Sequence, residues 1–124
     1  MKYLSSIAVI LLFFFLASNP RTEDSQQFLV SIDDVPIVPM FKEITTTGVN
    51  FETINGRIAQ TQALGPKHPD VVRTFYKTTL PQLGWRNIGD NSFLREGEIL
   101  HIQIRRESND ITSIMFSLRP SSPN

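Results

Sequence analysis

The chain has 124 residues, room for one folded domain, with 12 Lys+Arg against 12 Asp+Glu and no cysteine. That balance gives no electrostatic drive toward a phosphate backbone, and the one adjacent basic pair, Arg105-Arg106, is followed at once by Glu107, which argues against nucleic-acid binding. The missing cysteines exclude disulfides, thiolate chemistry and the acylated cysteine of a bacterial lipoprotein, so noncovalent packing must hold the domain together.

The N-terminus carries one cation, Lys2, and then an apolar run from Ile7 to Ala17, interrupted on its near side only by Ser5 and Ser6. Counted from Tyr3 the run is 15 residues, short of the roughly 20 that a helix needs to span a bilayer core. Its proportions are those of a secretory hydrophobic region, and the chain turns polar at Ser18-Asn19-Pro20-Arg21. Phe15 two positions before Ala17 breaks the small-x-small cleavage rule. Residues 1–20 therefore read either as a signal peptide or as an uncleaved membrane anchor through residues 3–17, with Lys2 inside. In both cases the rest of the chain is expected across a membrane, in the periplasm or tethered to the inner membrane.

Residues 21–47 read as a linker and an extended arm. Pro36 and Pro39 fix their own φ and hold the preceding residues extended, which excludes helix. Val35, Ile37, Val38, Met40 and Phe41 are too apolar for free solvent. The arm is expected to pack on its own domain, with docking on a partner as the rival.

A regular domain is expected over residues 48–119. Val49 and Phe51 alternate with Asn50 and Glu52, the period of a half-buried strand. Asn55-Gly56 suits a two-residue hairpin turn, and Arg57 to Leu64 forms the return strand. A helix is predicted from about Pro69 to Leu83, with Pro69 and Asp70 in its first turn and Val72, Phe75, Tyr76, Leu80 and Leu83 on one face. Pro81 weakens its last turn, Gly84 gives a left-handed stop, and Trp85 folds back on its end. Strands follow at 92–95, 98–106 and 111–118. In the second, Leu100, Ile102 and Ile104 share one face and His101, Gln103 and Arg105 the other. The tail 120–124 is expected to be flexible, with fraying from Arg119. The predicted fold is α+β: an antiparallel sheet of about five strands, β-β-α-β-β-β, with one helix on one face, behind the N-terminal signal or anchor helix.

The stretch Phe75-Tyr76-x-x-x-Leu80-Pro81-x-x-Gly84-Trp85, followed by Phe93-Leu94-Arg95-Glu96-Gly97-Glu98-x-Leu100-x-Ile102, resembles a pattern in small exported bacterial envelope proteins of unknown function. Phe51-Glu52-Thr53-x-x-Gly56-Arg57-Ile58 fits the same pattern. The resemblance spans roughly residues 40 to 120. It implies the exported address and the architecture, and brings no activity, catalytic residue or ligand.

No catalytic signature stands out. Serines occur in neither a Gly-x-Ser-x-Gly nor a Ser-x-x-Lys context, and Gly-rich phosphate loops are absent. His68 and His101 lie on different elements with only Asp70 and Glu98 as nearby carboxylates, so they read as surface histidines and no metal or cofactor is expected. Asp33-Asp34 reads as a solvated pair pointing in opposite directions. Tyr76, Trp85 and Phe93 read as core rather than as a ligand cleft. The outer sheet face is different: Ile99, His101, Gln103 and Arg105 lie beside Ile111, Ser113 and Met115, a mixed surface of the kind partners use. The expected function is a non-enzymatic envelope accessory module that contacts another envelope protein. The rivals are a small periplasmic ligand binder on the concave side near Tyr76 and Trp85, and an enzyme with an unrecognised site.

Overall fold

The computed structural model describes Pro20 and residues 25–122. The expected signal or anchor therefore lies, but for Pro20, outside the described residues, as do the last two residues of the tail. Among the described residues no helix is long and apolar enough to cross a membrane. They form one helix and a seven-stranded antiparallel sheet, two strands more than expected.

The strands are β1 (Lys42–Glu43), β2 (Val49–Thr53), β3 (Gly56–Gly65), β4 (Arg86–Gly89), β5 (Ser92–Arg95), β6 (Glu98–Arg106) and β7 (Thr112–Pro120), with helix α1 (Pro69–Gln82) between β3 and β4. The order across the sheet is β1-β3-β7-β6-β5-β4, with β2 also on β3. β1 and β2 thus share one edge: β1 pairs with Ala63 and Leu64, β2 with residues 56 to 60, and a 3-10 turn at Thr45–Thr47 separates them. Strands β5 to β7 form the expected meander, β4 extends it by one unexpected strand, and α1 carries the chain from β3 across to β4.

Local chemistry explains the connections. The Arg95–Glu98 pair closes a hairpin whose two loop residues, Glu96 and Gly97, have φ of 47° and 76°, the two positive values a tight turn with the native strand twist requires. The first hairpin corrects the sequence expectation. Thr53 pairs with Gly56, so the loop residues are Ile54 and Asn55, and Gly56 alone takes positive φ, at 129°. The glycine is the first residue of the return strand, closing a two-residue loop set one position earlier than expected, rather than half of the loop itself. The helix matches closely. His68 is its N-cap, with Nδ1 accepting from the Asp70 amide at 3.3 Å, and Pro69 begins it. At the other end the Trp85 amide donates to the Leu80 carbonyl and that of Gly84, at φ 88°, to the Pro81 carbonyl, a Schellman stop.

The core lies between one sheet face and a layer made of α1 and the arm. Ala59, Ala63, Ile114, Phe116, Leu118, Leu100, Ile102 and Phe93 point inward from alternate strand positions, and Val72, Tyr76 and Leu80 meet them from the helix. Leu29, Ile32, Val35, Ile37, Val38 and Phe41 complete it from the arm. The arm from Leu29 to Phe41 is therefore part of the domain rather than a lead-in to it. Pro39 and Met40 sit in a turn closed by the Phe41 amide on the Val38 carbonyl at 3.0 Å, with Met40 at φ 72°. That turn swings Phe41 inward and leaves Met40 exposed, against the expectation that both seek cover. At the C-terminus β7 runs through Pro120, and Ser121 donates to the Gly97 carbonyl from both its amide and its hydroxyl. The chain is thus anchored past Arg119, where fraying was expected.

Candidate functional site

Among the described residues helix and arm cover one face of the sheet, and the opposite face is open. The period-2 geometry of strands sends alternate side chains there. Ile99, His101, Gln103 and Arg105 come from β6, and Ser113, Met115 and Ser117 from β7. Cross-strand register makes neighbours of Gln62, Met115 and Gln103 in one row and of Gln60, Ser117, His101 and Ser92 in the next. Six of the seven residues named from the sequence are thereby gathered: Ser113 buried, Ile99 and Met115 half-buried, His101, Gln103 and Arg105 exposed. Ile111 is the exception. It precedes β7, 43% exposed, in the turn where its carbonyl accepts from the amides of Glu107 and Ser108. The β6–β7 connection takes Ile111 for its own closure and so removes it from the strand row.

A shallow hollow on this face is lined by Gln62, Gln103, Arg105, Glu107, Ser113 and Met115. The Ser113 hydroxyl donates to Glu107 Oε1 at 2.6 Å, and the Gln60 amide meets Met115 Sδ at 3.3 Å. Its rim presents amides, one guanidinium and one carboxylate, groups that can donate and accept without a strong net field.

Ser92 Oγ and His101 Nδ1 lie 2.9 Å apart. A hydroxyl beside an imidazole is the first element of a nucleophilic pair. Here it is a cross-strand neighbour contact set by the Ser92–His101 pairing, on an exposed face. Among the described residues His101 has no carboxylate ion partner to orient its ring. No group of three His, Asp or Glu side chains converges as a metal site among them either. His68 is at the helix start, 3.5 Å from Asp70, and far in sequence from Glu98, which is engaged elsewhere.

That engagement is the feature that sequence reasoning missed. Arg57 Nε donates to Glu98 Oε2 at 2.8 Å and its Nη2 to Glu98 Oε1 at 3.1 Å. Nη2 also reaches both oxygens of Asp34, at 3.1 and 3.0 Å, and Arg95 donates to Asp34 as well. Asp33, largely exposed, sits 3.6 Å from Arg57. The hydrogen bond that Arg57 donates to Glu98, opposed by burial and reinforced by the Asp34 charge, raises the Arg57 pKa above its ordinary value. Arg95 also lies over the Trp85 ring, 4.4 Å from its centroid, and donates to the Leu83 carbonyl at 3.2 Å, a cation–π contact that ties the helix end to the same cluster. Asp34 is thus an anchor rather than the solvated residue expected. Both guanidinium groups are matched by carboxylates, so the cluster clamps the arm to β3, β5 and β6 instead of offering a cation to a ligand.

A second clamp lies at the other end of the arm. Glu43 accepts from the amides of Val30 and Ser31 and, at 2.7 Å, from the Thr61 hydroxyl. Burial alone would raise its pKa, but these hydrogen bonds together outweigh it and hold the carboxyl below its usual range. Between the clamps the buried Tyr76 hydroxyl donates to the Pro36 carbonyl at 3.0 Å. Tyr76, Trp85 and Phe93 are all core, each 2% exposed or less, which leaves the open face as the candidate surface. Compared with protein families, with curated proteins and with solved structures, the chain matches none of them.

Proposed function

We propose that this chain is an exported, non-enzymatic accessory module of a bacterial-type envelope that contacts a partner protein through the open face of its sheet. The observation that carries the proposal is the one-sidedness of the fold. Helix and arm are both spent on one face, while the other keeps half-buried apolar groups, Ile99 and Met115, among polar ones, His101, Gln103 and Arg105. Such a mixture loses little in water yet gains on covering, as the rims and centres of non-obligate interfaces do. Support for export comes from the apolar run Ile7–Ala17 after Lys2, and from the resemblance to small exported proteins carried by the Phe75–Trp85 and Phe93–Ile102 motifs. Support for a non-enzymatic role comes from the isolation of the Ser92–His101 pair among the described residues.

The decisive experiment is Met115→Lys combined with Ile99→Lys in the full chain, assayed by affinity capture from envelope extracts with urea unfolding as a folding control. Loss of specific partners with the fold intact is the expected result. Unchanged partners and oligomeric state would set the proposal aside. Fractionation of a C-terminally tagged chain with N-terminal sequencing tests the address separately. One observation favours a second reading, a binder of a small polar ligand: the hollow between Gln62, Gln103 and Arg105. A thermal shift with a metabolite panel that Gln103→Ala abolishes would select it over the first.

A further inference from the structure

The two edges of the sheet are treated differently. An unpaired strand edge is a template for another strand, and proteins defend theirs with shortness, lysine, proline or bulges. At one edge β4 has four residues, begins with Arg86, and carries a register break between Asn87 and Gly89, with Gly89 at φ 147°. At the other edge β2 has five residues, Val-Asn-Phe-Glu-Thr, all exposed and paired with β3 without a break. It contains no lysine, arginine, proline or bulge. Val49 and Phe51 remain 47% and 50% exposed on the same side of the strand, and the next residue in the turn, Ile54, is fully exposed.

The strand also complements itself. Two copies of β2 laid antiparallel about Phe51 keep all five residues paired. Phe51 faces its copy, Val49 faces Thr53, and Asn50 faces Glu52, so the one charged residue meets an amide and no like charges oppose. The arrangement is two-fold and closed, whereas pairing β2 with the defended β4 edge of another copy would propagate into a filament and is blocked by the bulge. From these observations we infer that β2 is a homodimerisation edge, joining two seven-stranded sheets into one continuous sheet through Phe51. The inference is independent of the proposed use of the open face, and the β2 contact leaves Ile99 and Met115 uncovered.

The absence of cysteine makes the test direct. Phe51→Cys and Ile54→Cys each introduce a single thiol into the full chain. In the inferred pairing opposed residue-51 side chains lie about 5 Å apart, within disulfide reach. Residue 54 and its copy are about 20 Å apart at ~3.4 Å per residue. The expected result is a covalent dimer from Phe51→Cys under mild oxidation and monomer from the more exposed Ile54→Cys. Phe51→Lys should weaken association of the full chain, measured by sedimentation equilibrium in detergent, roughly tenfold or more. Equal cross-linking at the two positions, cross-linking at neither, or association unchanged by Phe51→Lys would overturn the inference. The last outcome would place any self-association elsewhere in the chain.

Discussion

Gly65 and Phe41 make the sharpest test of how the arm is built into the domain. Phe41 is 3% exposed, and its ring packs against Gly65. A Cβ placed on Gly65 would stand 2.3, 2.4 and 2.6 Å from Phe41 Cδ2, Cγ and Cε2, well inside van der Waals contact. Gly65 is absent from the positive-φ residues, so Gly65→Ala brings no backbone strain and its whole cost is steric. The ring has little freedom to retreat. On one side it is fixed by the Phe41–Val38 turn, and on the other by the Lys42–Leu64 pairing of β1. Overpacking of this kind costs about 1–3 kcal/mol, against ~3–5 kcal/mol for removing the ring by Phe41→Ala and a total domain stability of about 5–15 kcal/mol. In the Phe41→Ala background the clash is gone, and Gly65→Ala should be neutral or stabilise by up to ~1 kcal/mol through the unfolded chain. The coupling between the two sites is then about 1–4 kcal/mol. Urea unfolding followed by fluorescence of Trp85, the single tryptophan and 1% exposed, measures each corner of the cycle. A neutral Gly65→Ala in the native background, or the same cost with and without the Phe41 ring, would refute the packing described for the arm.

The clamps make further predictions. Asp34→Asn leaves Arg57 and Arg95 short of a counter-charge. With these side chains about a fifth to a quarter exposed, the loss should be about 1–2 kcal/mol after solvent screening, smaller at high salt, and visible as faster amide exchange over residues 29–37. Glu43 has its pKa lowered in the fold, so its contribution is present above the ordinary value of 4.5 and is lost as pH falls through the lower folded value. Glu43→Gln should therefore lower stability at neutral pH and flatten the acid limb of the stability profile below pH 4.5. Tyr76→Phe strands the buried Pro36 carbonyl and should cost about 1–2 kcal/mol in urea unfolding. Burial raises the Tyr76 pKa, so an absorbance titration of the native protein should show this phenol ionising at higher pH than an exposed tyrosine does.

Much of the framework was readable because it is periodic. The alternation in Glu98–Arg106 and Thr112–Pro120 and the Pro69 to Gly84-Trp85 punctuation of the helix are local signals, and they placed the open face and six of its seven named residues. What escaped is non-local or aperiodic. β4 has all four residues exposed, so no alternation marks it, and β1 is a two-residue pairing that exists only because Leu64 and Ala63 are there to meet it. Asn55-Gly56 fits two placements of a two-residue loop, and the Thr53–Gly56 pairing selected the earlier one, Ile54-Asn55. The Asp34 clamp joins residues 23 and 61 positions apart. Its only local trace is an acidic pair that loops and clamps share. Ile111 had the right parity for the open face but lay one residue outside the strand.

The most direct measurement is site-specific photo-cross-linking in cells, comparing a reactive group at Met115 on the open face with one at Val71 on the exposed side of the helix. A discrete adduct to another polypeptide from Met115 and none from Val71 is the predicted result. Adducts from Val71 alone, or the same adducts from both positions, would contradict the assignment of the open sheet face as the contact surface.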